Sequence, residues 1–104
     1  MSSSEEGKTV DMNQLSEVSN LAELVGHPIR LEIVRLLAVN GTASWTDIVL
    51  DLEKVIGKVN PNTVSFHLSK LRLGGVVQKI GESYSLVEEI RYSPLIKKIM
   101  VLLK

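Results

Sequence analysis

Apolar residues recur along this chain at intervals of three and four as far as residue 73, and then at intervals of two. Leu15, Val18, Ala22 and Val25 fall at i, i+3, i+7 and i+10, with Leu21 and Leu24 widening the stripe, which predicts a first helix over 12–25 that Gly26 stops. Pro28 suits the first turn of a helix, where its missing N–H costs nothing. Ile29, Ile33, Leu36 and Leu37, with Val34 beside them, make the stripe of a second helix ended by Asn40-Gly41, and Arg30, Glu32 and Arg35 fall outside that stripe. Ser44-Trp45-Thr46-Asp47 is a capping signal for a third helix, with Ile48, Leu52, Val55 and Ile56 inward and Gly57 at its close. Thr42-Ala43 before it has the look of one short added strand. Asn60-Pro61 opens a fourth helix running to about Leu73, with Val64, Leu68 and Leu71 as its core stripe and Gly74-Gly75 as its stop.

The change of period then predicts two strands, Val76 to Ile80 and Tyr84 to Val87, around a tight turn at Gly81-Glu82-Ser83. Ser93-Pro94 opens a fifth helix over 94–103, apolar nearly all round. Residues 1–11 carry little to bury and read as a disordered tail. The remainder, 12–104, reads as one domain, mainly α with a small β-hairpin. A helix-turn-helix followed directly by a hairpin is the winged helix-turn-helix arrangement, here with extra N- and C-terminal helices.

With 104 residues, the chain is long enough for one modest core. It has no cysteine, which excludes a disulfide scaffold, a thiolate metal site and a cysteine nucleophile, and fits a reducing, cytoplasmic setting. Apolar runs are too short for a membrane span, and the polar, acidic start does not read as a secretory signal. Net charge is zero, but residues 1–53 carry a balance of −6 and residues 54–104 one of +6. Between 54 and 80 there are five basic residues and no acid. Such one-sidedness is the footprint of a phosphate-binding face, or of a solvated face that happens to be basic. No Gly-rich phosphate loop, acid pair with a site or nucleophile motif is present, so no enzyme and no cofactor are expected.

Two segments resemble a known family. His27 to Leu37 and Asn62 to Leu71, the latter reading Asn-Thr-Val-Ser-Phe-His-Leu-Ser-Lys-Leu, are similar to the second and recognition helices of ArsR-type winged helix-turn-helix transcriptional regulators, and Gly75-Val76-Val77 matches the element that follows. The resemblance covers about residues 20–88. It implies duplex-DNA binding by a homodimer paired through the terminal helices. Metal-sensing members carry a Cys-x-Cys in the third helix; Ala43-Ser44-Trp45 stands near that position here, so thiolate metal sensing is not implied.

The residues of the fourth helix agree on their own account. With Val64, Leu68 and Leu71 inward, a turn of ~100° per residue points Asn62, Phe66, Ser69 and Leu73 outward, with Thr63 and Lys70 beside them. Ser65 and Arg72 lie on one flank and His67 on the other. Asn pairs with adenine, Ser and Thr with several base edges, and an apolar ring meets a thymine methyl. The expected DNA-reading set is therefore Asn62, Thr63, Ser65, Phe66, Ser69 and Lys70. Lys79 and Tyr84 are expected at flanking phosphates, and Lys58 and Arg72 complete the expected DNA-binding set. Phe66 has the alternative of packing on the third helix or the wing. His67 reads as a structural hydrogen-bonder and Trp45 as core. Leu15, Val18, Leu21, Val25, Leu95, Ile96, Ile99, Met100 and Leu103 are the surplus apolar residues expected between two copies, unless the terminal helices pack on each other. The rival to a regulator is a winged helix used for protein–protein contact, or a non-specific, chromatin-like DNA binder. A small-molecule effector is compatible with the regulator, but the sequence identifies none.

Overall fold

The structure is a computed structural model that describes residues 11–103. The tail expected over residues 1–11 falls, Asp11 excepted, outside that range. Six helices and three strands follow in the order α1 (Met12–Val25), α2 (Pro28–Asn40), β1 (Thr42–Ser44), α3 (Trp45–Val55), α4 (Pro61–Leu73), β2 (Val77–Ile80), β3 (Ser83–Leu86), α5 (Glu88–Arg91) and α6 (Pro94–Leu102). The sheet is antiparallel with β3 in the centre, in the order β1-β3-β2. Val77 pairs with Leu86 and Ile80 with Ser83 on one side, Thr42 with Ser85 on the other.

Local chemistry sets the helix ends. Asp11 and Gln14 form a capping box on α1, and Ser44 and Asp47 form one on α3. Asn60 accepts from the Asn62 N–H with Pro61 behind it, and Ser93 accepts from the Ile96 N–H ahead of α6. Each such cap is worth about 1 kcal/mol. α4 stops in a Schellman motif: the Val76 N–H donates to the Leu71 carbonyl at 2.9 Å and the Gly75 N–H to that of Arg72 at 3.1 Å, with Gly75 at φ +78°. Leu71 and Val76, both fully buried, make the accompanying apolar contact. The wing turns on two residues, Gly81-Glu82. Gly81 has φ +62° and no non-glycine residue among those described has positive φ, so the turn is type II′, which takes glycine first.

The core gathers Ile33, Val34 and Leu37 of α2, Ile48 and Leu52 of α3, Val64, Leu68 and Leu71 of α4, and Val76 and Leu86 of the wing. α1 packs on this body only by its last turn. Residues 12–20 are all exposed, Leu21 and Leu24 are half-buried and Val25 is buried. Leu24 sits so close to the backbone after α4 that a Cβ on Gly74 would lie 2.1 Å from its Cδ2.

Beyond the expected elements, the residues after the wing, Glu88–Arg91, form a single helical turn that no side chain caps. Four expectations are corrected. Val55 and Ile56, expected inward on the third helix, are exposed, because they stand at its last residue and its C-cap, past the buried stripe of Ile48 and Leu52. Val25 and Ile96, expected between two copies, are each 2% exposed within one chain and belong to its core. Glu32, placed outside the α2 stripe, is buried. Tyr84, expected to face phosphate, is 8% exposed: the period-two alternation turns it inward with Leu86, while Ser83 and Ser85 on the other face are half-exposed.

Candidate nucleic-acid interface

α4 is held by Val64, His67, Leu68 and Leu71 in the core, which leaves Asn62, Ser65, Phe66, Ser69, Lys70 and Arg72 exposed and Thr63 half-buried. The apolar stripe alone dictates that outward face. The Asn62 side chain is free of the capping duty, which Asn60 performs through its Oδ1. Phe66 is 53% exposed, its ring edge-on to His67, with Lys70 Nζ 5.4 Å from the ring centroid.

Beside this face lies the wing. Ser69 and Arg72 of α4 face Gln78 and Lys79 of β2 across a cleft of about 660 Å³. Lys79 Nζ lies 5.6 Å from the Tyr84 ring centroid and 4.0 Å from Glu82 Oε1, an exposed pair that holds it only weakly. Tyr84 thus offers a platform for Lys79 rather than a contact of its own. Lys70 lies on the opposite flank, in a second cleft of about 840 Å³ with Arg30, Leu24 and Ile90. Lys58 is exposed on the connection before α4. Ser69, Arg72 and Lys79 therefore converge, Phe66 pairs with Lys70, and Lys58 lines neither cleft.

His67 is buried, as a structural hydrogen-bonder requires. Arg30 Nε donates to its Nδ1 at 3.0 Å, and its ring lies 4.3 Å from that of His27. Burial first, then the neighbouring His27 and Arg30, holds His67 below the usual imidazole range, which keeps its Nδ1 unprotonated and able to accept from Arg30. Among the described residues, no three His, Asp or Glu side chains come together where they could hold a metal. No helix among them is long and apolar enough to cross a membrane.

A charge cluster behind the helix-turn-helix was not visible in the sequence. Arg35 grips Glu32 with two hydrogen bonds of 2.7 and 2.6 Å, and Asp51 of α3 lies 3.8 Å from Arg35. Asp51 Oδ2 is buried without a hydrogen-bond donor in reach. A proton on Asp51 would make it a donor to Glu32. Burial, followed by the hydrogen bond and charge of Glu32, pushes Asp51 up to about 6. Burial also raises Glu32, but the hydrogen bonds from Arg35 and Asp51 outweigh it and hold Glu32 below its ordinary value. A raised carboxyl binds its proton better in the folded chain, so stability falls as pH rises from about 4 through about 6. Asp51→Asn should therefore stabilise the protein by about 1–2 kcal/mol at pH 7.5 and by nothing near pH 4. Urea unfolding at the two pH values checks this; equal effects at both would show that the buried acid is not strained.

No family model matches the chain, and no curated protein matches it. Among solved structures, HlyU from Vibrio cholerae N16961 superposes with a TM-score of 0.64 over 90% of this chain and 94% of that one, at 24% sequence identity. At that identity the likeness is one of fold, and the fold of this chain is the winged helix-turn-helix.

Proposed function

We propose that the chain is a transcriptional regulator that binds duplex DNA in sequence-specific fashion as a homodimer, with α4 in the major groove and the wing on the flanking backbone. The observation that carries this reading is the outward face of α4. Its core stripe leaves Asn62, Ser65 and Ser69 exposed together, and Ser69 with Arg72 opens onto Lys79 of the wing across one cleft. Hydrogen-bonding side chains near a helix N-terminus suit base edges, and basic side chains along its flank suit phosphates. The resemblance of Asn62 to Leu71 to ArsR-type recognition helices supports the same reading.

The dimer rests on apolar surface that one chain leaves open. Met12, Leu15 and Val18 of α1, and Val101 and Leu102 of α6 with Leu103 after it, are all exposed. The described residues extend over 53 × 26 × 20 Å with a radius of gyration of 15.6 Å, against about 13 Å for a compact domain of this length. Helices that stand off a small body in this way are suited to being covered by a second copy. The proposed interface differs from the one the sequence suggested: it keeps Leu15, Val18, Leu21, Leu95, Ile99, Met100 and Leu103, adds the exposed Met12, Val101 and Leu102, and loses Val25 and Ile96.

Leu73 and Ile80 are also exposed near the wing, which suits the rival, a protein-docking surface. Selection from random duplex DNA separates the readings. The regulator should enrich an inverted repeat with half-site centres ~10–10.5 bp apart or a multiple of that, since only such spacing returns the groove to one face. Enrichment of no sequence would defeat it.

A further inference from the structure

We infer that Arg30 is a positioning residue for the outward face of α4, fastening that helix to the C-terminal end of α1. The inference rests on the DNA-reading role proposed above and adds the part that holds the reading helix in place.

Arg30 sits in the first turn of α2 and uses its guanidinium in two directions. Its Nη1 donates to the Leu24 carbonyl at 3.1 Å, and its Nε to His67 Nδ1 at 3.0 Å. The Leu24 carbonyl is one of the four at the end of α1 that have no partner within the helix. α1 carries no basic residue in its own last turn, so Arg30 supplies the cation that a helix C-terminus favours. Among the described residues no carboxylate lies within 4.0 Å of Arg30, so no salt bridge competes for these donors.

The other end of the tie reaches the outward face. His67 is buried and stacked on His27, whose Nδ1 accepts from the Ile29 N–H and caps α2. Next to it in sequence, Phe66 stands edge-on at 5.3 Å, and Lys70 lies over the Phe66 ring. One side chain thus links three helices, and the contacts run from a carbonyl of α1 to two outward residues of α4. A lysine could not replace it: an ammonium keeps the charge but lacks the rigid fork that holds two acceptors at once.

The test uses Arg30→Lys, His67→Leu, their combination, and His67→Gln, each checked for folding by urea midpoint. Affinity is measured for a selected duplex and for a scrambled one. Arg30→Lys and His67→Leu should each lower affinity for the selected duplex roughly tenfold and change the scrambled one by less than about twofold. The combination should be no worse than either alone, because both cut one tie. His67→Gln supplies an amide oxygen as acceptor and should restore most of the loss. Equal losses on both duplexes would make Arg30 a direct phosphate contact and overturn the inference, as would losses that add. A second readout needs no DNA: amide exchange across residues 62–70 should quicken in Arg30→Lys relative to the other core helices. Unchanged exchange there overturns the tie itself. A wild-type chain that binds both duplexes alike would instead count against the DNA reading.

Discussion

Asn62→Ala, Ser65→Ala and Lys70→Ala together should reduce affinity for a selected duplex about a thousandfold or more, to the level of scrambled DNA. All three side chains are exposed and none caps a helix, so the fold should survive. Two lost base contacts at ~1–3 kcal/mol each, repeated in both protomers, exceed the ~4 kcal/mol that separates weakly specific from non-specific binding. The wild-type dimer should also show a steep salt response. If it neutralises ~8 phosphates, log K falls against log salt with a slope of about −7. A flat salt response, or a triple variant that binds as the wild type does, would remove DNA from the account and favour the protein-docking rival.

Introducing charge on the terminal helices should have an effect nearly as large. Leu15→Glu with Val18→Glu, or Val101→Glu with Leu102→Glu, places carboxylates on faces that are exposed in one chain, so folding should be unaffected while pairing is lost. Light scattering should give a mass near 11.5 kDa in place of about twice that. Two-site binding should weaken by ~10²–10⁴, the usual gain from tethering two modules. The variants should then ignore five base pairs inserted between half-sites, an insertion that rotates one by roughly half a turn and should cripple the wild type. Deleting everything after Ser93 would be a poor substitute, because Ile96 lies in the core and its loss would disturb the folded body. A wild-type chain of single mass, or charged variants that still pair, would overturn the dimer.

The elements legible in sequence were those whose ends carry local chemistry. Ser44, Asn60-Pro61 and Ser93-Pro94 each mark a boundary that the structure places within a residue or two. α5 has no such mark, and at four residues it is too short for a periodic stripe. The α4 face was legible because three core residues fix its rotation. Tyr84 was misassigned through its chemistry, although its alternation with Ser83 and Ser85 already set it beside Leu86 on the inner face. The Arg30–His67 bond spans 37 residues, and Asp51 meets Arg35 only once α2 and α3 pack. No local pattern encodes either meeting, since both arise from the angle at which two helices lie.

The central place of β3 bears on how the chain comes off the ribosome. β1 follows α2 directly, yet its partner residues lie some 40 positions later, Thr42 against Ser85. At ~5–20 residues per second, the backbone of Thr42–Ser44 must wait on the order of 2–8 s for its hydrogen-bonding neighbour to be made. An unpaired strand is a template for the wrong partner during that interval. At three residues, closed on one side by Gly41 and on the other by the capped start of α3, β1 gives a stray strand little to grip.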